Sequence, residues 1–259
     1  MQKNRSITAI AVNTFRESFR DRILLGALVI SVFFILFSLF VGSISLDQDT
    51  KIIQDTGLTV IFLLQIFVAI FVGASLIFKE VERKTFFILI PKPLKRSEII
   101  IGKWIGLLMT TMAVSGLTAV VYFGILFIRG ASLALAWGLL LAIVLGLVET
   151  AVVILISILF SSLTSPILAS LYTTSLFFIG HSSDVIYSVI EQHKESFWRF
   201  VYYFFYYLFP NLEKFNIRND VIYQILPSAK DVILILLYAA AYSVFVYALA
   251  VMVFKRREY

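Results

Sequence analysis

The sequence has no cysteine, only two histidines and few charges for its length. Without cysteine there are no disulfides and no thiolate metal sites, and nothing marks a redox compartment. His181 and His193 are too few for an ordinary histidine metal site. Charged residues make up 15% of the 259, where a soluble domain carries roughly 25%. What fills the chain instead is apolar: 60% of its residues are hydrophobic and the mean hydropathy is +0.95. That excludes disorder, a collagen-like rod and a secreted disulfide scaffold. It is also more apolar surface than a globular core of this size can hide, so most of the chain is solvated by lipid.

A bilayer core of about 30 Å asks for around 20 apolar residues per spanning helix. Six stretches qualify: 23–42, 57–78, 104–128, 133–160, 166–180 and 232–254. The fifth is the shortest and is expected to run past Gly180. The fold class that follows is all-α integral membrane, a single domain with no tandem repeat and no appended soluble domain. Six crossings place both termini on one side. Lys and Arg choose that side: five lie in the N-terminal segment, seven between spans two and three, and three after span six, against seven elsewhere. The positive-inside rule puts both termini in the cytoplasm, and the same distribution argues for a membrane surface rather than nucleic acid. The first span is too long for a signal h-region and lacks a following cleavage site.

Ahead of it, Ile7, Ala11, Phe15, Phe19 and Ile23 recur every four residues, with Asn13, Arg16, Glu17 and Arg20 on the opposite arc. The spacing predicts an amphipathic helix over 1–22 lying in the interface, with an extension of span one as the alternative. Residues 182–231 are too apolar for a plain loop. The aromatic run 202–207 suits a headgroup region and Pro210 ends it. One or two short interfacial or re-entrant helices capping the outer mouth are expected there.

The connection 79–103 is far longer than antiparallel spans need. Lys79, Glu80, Glu82, Arg83, Lys84 and Thr85 set charges of both signs at helical spacing before an apolar run too short to span. Pro91 and Pro93 then break the chain, and Ser97 stands where an N-cap would open the next helix. This pattern (acid-x-acid-x-x-Thr, a short apolar run, Lys-Pro, a basic pair with Ser, and Ile-Gly-Lys entering the next span) resembles type 2 ATP-binding-cassette (ABC) permeases. It is most similar to the branch linked to maturation of multicopper enzymes such as nitrous oxide reductase. Residues 13–22 and 209–216, together with the basic tail, resemble that branch too.

The resemblance implies a permease subunit of the cell inner membrane that pairs with a second copy into a twelve-span dimer. It implies a coupling helix at about 79–90 seated on a separate ABC ATPase, an elbow helix at 7–22 and extracellular helices within 182–231. Export is the expected direction. ATP and magnesium belong to the partner chain, since no G-x-x-x-x-G-K-[ST] occurs here; Gly102-Lys103 is followed by Trp104. No cofactor, metal or catalytic set is expected in this chain, and neither histidine has a serine–acid arrangement suited to nucleophilic work.

Glu149 is the one ionisable residue deep in a span, and an intramembrane carboxyl is a functional candidate by default. A hydrogen bond from a neighbouring helix is the structural alternative. Gly138, Ala142, Gly146 and Thr150 run beside it as a small-residue stripe, and Gly102, Gly106 and Thr110 form another; both suit close helix packing. Gln65, Thr111, Ser115 and Thr118 are expected to bond between helices. Met109 and Met112 do not amount to a copper path without cysteine or an in-span histidine. The sequence therefore reads as an ABC permease subunit. A proton-coupled secondary transporter using Glu149 and a non-transporting membrane scaffold are the alternatives.

Overall fold

A computed structural model describes residues 2–44, 49–76, 95–192 and 198–256, and all regular structure among them is helical. The helices are α1 (Gln2–Phe19), α2 (Arg22–Ile44), α3 (Asp49–Phe67), α4 (Arg96–Ile128), α5 (Leu133–Ser161), α6 (Pro166–His181), α7 (Ser183–Gln192), α8 (Trp198–Leu208), α9 (Arg218–Ile222) and α10 (Ala229–Arg256). A π-helical turn, Val68–Val72, prolongs α3 to Leu76, and a 3-10 turn, Glu213–Phe215, precedes α9. Five helices among the described residues are long and apolar enough to cross a membrane: α2, α3 with its extension, α4, α5 and α10. The fifth expected span, 166–180, corresponds to α6, which has 16 residues. It runs past Gly180 by one residue only, to His181; Ser182 leaves the helical conformation and Ser183 starts α7.

Local chemistry sets the ends. Asp21 accepts the Ile23 N–H at 2.9 Å at the break between α1 and α2, so α1 is a separate helix and no straight extension of α2. Gly130, at φ +80°, turns the chain between α4 and α5 while Ala131 N–H bonds back to Leu126. Ser132 caps α5 through Leu135 N–H at 3.3 Å. Ser228 and Asp231 bond each other's backbone N–H reciprocally at the start of α10, a capping box. Ser97 is not the cap of α4: that helix begins two residues after Leu94, with Lys95 as its cap, because the turn closes through Glu98 N–H on the Lys95 carbonyl at 2.9 Å.

The bundle centres on α3, α4 and α5. Leu64, Val68, Leu107, Val114, Val153, Ile154 and Leu155 fill one half of the core, and Ile53, Leu58, Tyr122, Leu139 and Val221 the other. Gly57 exists for Tyr122, whose ring lies where a Cβ would stand and whose hydroxyl donates to the Gln54 carbonyl at 3.0 Å. The helix α1 docks on the first turns of α4: a Cβ on Gly102 would meet Ile10, and one on Gly106 would stand 2.5 Å from the Ala11 carbonyl oxygen and 2.7 Å from Thr14. Its buried face is Ala11, Thr14 and Ser18, rotated from the expected stripe through Phe15 and Phe19. The small glycine track selects it, since only there does backbone reach backbone.

The π turn carries one residue more than an α ladder holds, leaving carbonyls for outside donors. Ser157 donates to Ile70 at 3.2 Å and Ser161 to Ala74 at 2.7 Å, so α5 stitches this part of α3 shut. Thr111 and Thr118 do not bond between helices as expected; they donate to the Leu107 and Val114 carbonyls of their own helix, four residues back, and Ser115 Oγ finds no partner. Gln65 does reach across, to the Ile143 carbonyl at 3.3 Å.

Candidate functional site

Glu149 lies 16 residues into α5, about 24 Å from its start at 1.5 Å per residue. Its carboxyl is buried and accepts a hydrogen bond or offers one at His181 Nε2, 2.8 Å away. The other ring nitrogen of His181, Nδ1, stands 2.8 Å from Glu213 Oε2. One imidazole thus joins two carboxylates from two different elements, the spanning helix α5 and the 3-10 turn. Phe62 and Phe177 hold the ring edge-on, with centroids at 6.0 and 4.6 Å.

The network continues outward. Asn216 Nδ2 donates to Glu213 Oε1 at 2.8 Å, and Arg218 Nε donates to Asn216 Oδ1 at 2.9 Å. The Arg218 guanidinium lies over the Phe62 ring at 3.9 Å, a cation–π contact. Burial lowers the affinity of Arg218 for its proton, and the charges of Glu149, Glu213 and Asp55 act against that loss. Beside it is a cavity of about 10 Å³ bounded by Phe62, Gln65, Ala142, Ile143 and Arg218, room for about one water.

The segment 210–222 that supplies Glu213 and Arg218 is sunk into the bundle, with Leu212, Phe215, Ile217 and Val221 buried. Leu212 N–H bonds to the Gly180 carbonyl at 3.1 Å, and a Cβ on Gly180 would strike Leu212. Asn211 N–H donates to Tyr238 Oη of α10 at 2.8 Å, and Lys214 Nζ sits over the same ring at 4.6 Å. Val221 fills the notch at Gly138, 2.8 Å from where a Cβ would be. Gly146 in turn makes room for Gln65 Oε1. The stripe Gly138, Ala142 and Gly146 therefore faces the capping segment and α3, while the partner of Glu149 comes from α6.

Of the other residues singled out, Gly102 and Gly106 receive α1. Lys79, Glu80, Glu82, Arg83, Lys84 and Thr85 lie outside the described residues. What flanks them is described. Lys103, fully buried in α4, donates its Nζ to the Leu76 carbonyl at 2.6 Å, joining α4 to the end of the α3 extension. Arg96 reaches the Phe254 carbonyl at 2.5 Å and covers that residue's ring at 5.7 Å, tying the same place to α10. Reading spans alone misses His181, Glu213 and Arg218 because each stands outside an apolar run. The signal available was Glu149 itself, which requires a polar neighbour.

The profile of the ABC-2 family transporter proteins matches residues 8–259. The chain belongs to that family. No curated protein matches it. Members of the ABC-2 family are multi-pass membrane components of ABC transporters, and such permeases work in the bilayer with an ABC ATPase. The permease itself is generally not catalytic. The charged network thus sits inside a transport subunit, between two spanning-length elements and the segment folded against them.

Proposed function

We propose that this chain is the permease subunit of an ATP-driven exporter of the inner membrane, working as a dimer with two separate ATPase subunits. The observation that carries it is the family match across residues 8–259. In this reading α6 is the fifth of six spans, both termini are cytoplasmic, α1 is the elbow helix, and 182–231 faces the outer side. The segment 79–90 is the coupling helix. ATP and magnesium act in the partner chain.

Three features support this arrangement. The basic residues gather at 3–22, 79–103 and 255–257. Lys103 and Arg96 connect the flanks of the coupling segment to α3 and α10, so force applied there has rigid elements to act on. The glycine track of α4 holds α1 against the same end. Resemblance to the multicopper-enzyme branch rests on the 79–103 pattern, on 13–22, on 209–216 and on the basic tail; 209–216 is the stretch that brings Glu213 to His181.

His181 beside Glu149 lends the proton-coupled alternative a second ionisable group. That mechanism relies on paired interrupted helices and several such groups, and a family of ATP-driven transporters weighs against it. The test is purification of the chain from its native membrane in mild detergent. Co-purification of an ATPase whose hydrolysis depends on the permease supports the proposal; a chain that arrives without one and still moves substrate down a proton gradient overturns it.

A further inference from the structure

The geometry points to a proton-binding latch: Glu149, His181 and Glu213 share one extra proton, and that proton holds the segment 210–222 in the bundle. The number of available donors decides it. Both imidazole nitrogens lie 2.8 Å from carboxylate oxygens. A neutral imidazole offers one N–H and one lone pair, and ionised carboxylates only accept. With two ionised carboxylates and a neutral ring, one of the two contacts would be lone pair against lone pair. The arrangement closes only when the ring is an imidazolium, or when one carboxyl carries a proton toward the ring. The two forms contain the same number of protons, so the triad holds one more than its fully deprotonated set and has a net charge of −1.

Arg218 supplies the matching +1 through Asn216 and Glu213. The groups around the ring are accounted for element by element. Glu149 comes from α5, Glu213 and Asn216 from the 3-10 turn and its end, and Arg218 from α9. Asp55 from α3 acts on Arg218 at longer range, and Phe62 and Phe177 pack against the ring in T-shaped contacts. Lys214 is engaged with Tyr238. Losing the shared proton leaves two negative charges facing one arginine, one more than it can balance, in a buried place where unpaired charge is costly.

Above the ordinary imidazole pKa of about 6.5, the docked state binds one proton more than the separated groups. Raising the pH therefore favours release, and lowering it favours docking. Release would withdraw Leu212 from Gly180 and Val221 from Gly138, opening a path between α3, α5 and α6 at that end of the bundle. The latch needs neither ATP nor a partner, so it stands or falls apart from the transport reading.

Because the chain has no cysteine, single thiols report on it cleanly. Leu212→Cys places one on the buried underside of the segment, and Asn219→Cys places one on its exposed side as a control for thiolate chemistry. Modification by a methanethiosulfonate reagent is followed in native membranes from about pH 6 to about pH 10. The ratio of the Leu212→Cys rate to the Asn219→Cys rate is expected to rise at least about tenfold, the change that one linked proton gives per pH unit. Adding Glu149→Gln should hold the ratio low throughout. Its amide N–H donates to Nε2 while Nδ1–H donates to Glu213, so no extra proton is needed. Glu213→Gln reverses the roles and gives the same result, should the first variant fail to assemble. A flat ratio in the parent, or a rise undiminished by either glutamine, overturns the latch.

Discussion

Lys103 Nζ donates to the Leu76 carbonyl at 2.6 Å, joining the end of the α3 extension to α4 between residues 27 positions apart in the chain. An amine that is fully buried has to earn its place by such a bond. Lys103→Met keeps the length of the stem and removes the donor. The expected cost is about 1–3 kcal/mol, the penalty of an unsatisfied buried carbonyl, read as a lower midpoint of thermal unfolding in detergent. A midpoint unchanged from the parent would mean the Leu76 carbonyl finds another donor.

Gly106→Val forces a side chain into the 2.5 Å gap at the Ala11 carbonyl. Overpacking of this kind costs about 1–3 kcal/mol, and here the yielding part is α1. Protease cleavage within α1 should accelerate while the rest of the bundle stays intact. Gly116→Val, where a Cβ meets nothing within 4 Å, is the matched control and should cleave as the parent does.

Glu149→Leu removes an acceptor or donor from His181 and leaves a half-buried imidazole facing a methyl group. Stability should fall by roughly 1–2 kcal/mol through the lost interhelical bond. Glu149→Gln, which can still bond the ring, should keep most of it. In transport assays the glutamine variant separates a packing role from a moving one: substrate movement is retained if the bond alone matters and lost if the carboxyl must change charge.

Reversing Glu80 and Glu82 to Lys adds positive charge to the coupling segment and should leave insertion intact. Docking of the ATPase should weaken, because like charges at an interface are costly and rim charges alter association strongly. Co-purification is compared with the parent at low and moderate salt. Equal capture at both would make the segment a solvated anchor.

Cysteines placed at Lys51 and Lys194 should react with an impermeant reagent added to intact cells, and one at Lys92 should not. Labelling at Lys92 would reverse the sidedness and remove the coupling assignment with it.

The long helices were legible because twenty apolar residues in a row leave one physical solution. Hydropathy averages over a window, so it located α2, α4, α5 and α10 but not the break after His181, which depends on one residue's backbone angles. It also predicted donors by residue type: Gln65, with a long side-chain amide, did cross to α5, while the short hydroxyls of Thr111 and Thr118 were satisfied by carbonyls four residues back in their own helix. The site was half visible. Glu149 announced a polar partner, yet the partner stands 32 residues away and the third member another 32 beyond it. No periodicity connects them, because only the folding of 210–222 back into the bundle brings Glu213 within reach.

The π turn at Val68–Val72 makes the membrane register of α3 sensitive to residue number as well as residue type. Each residue of an α-helix advances the direction of its side chains by about 100°. Deleting one residue of the turn other than Ile70 would restore an ordinary ladder and remove no side-chain hydrogen bond by itself. It would nevertheless swing Gly73, Ala74 and Leu76 around the axis relative to Gln54, Phe62 and Gln65 above. Ser157, Ser161 and Lys103 would then address the wrong carbonyls, although every side chain that remained was unchanged. The two ends of α3 are thus phased like two gears on a shaft, and the inserted residue is the key that sets their angle.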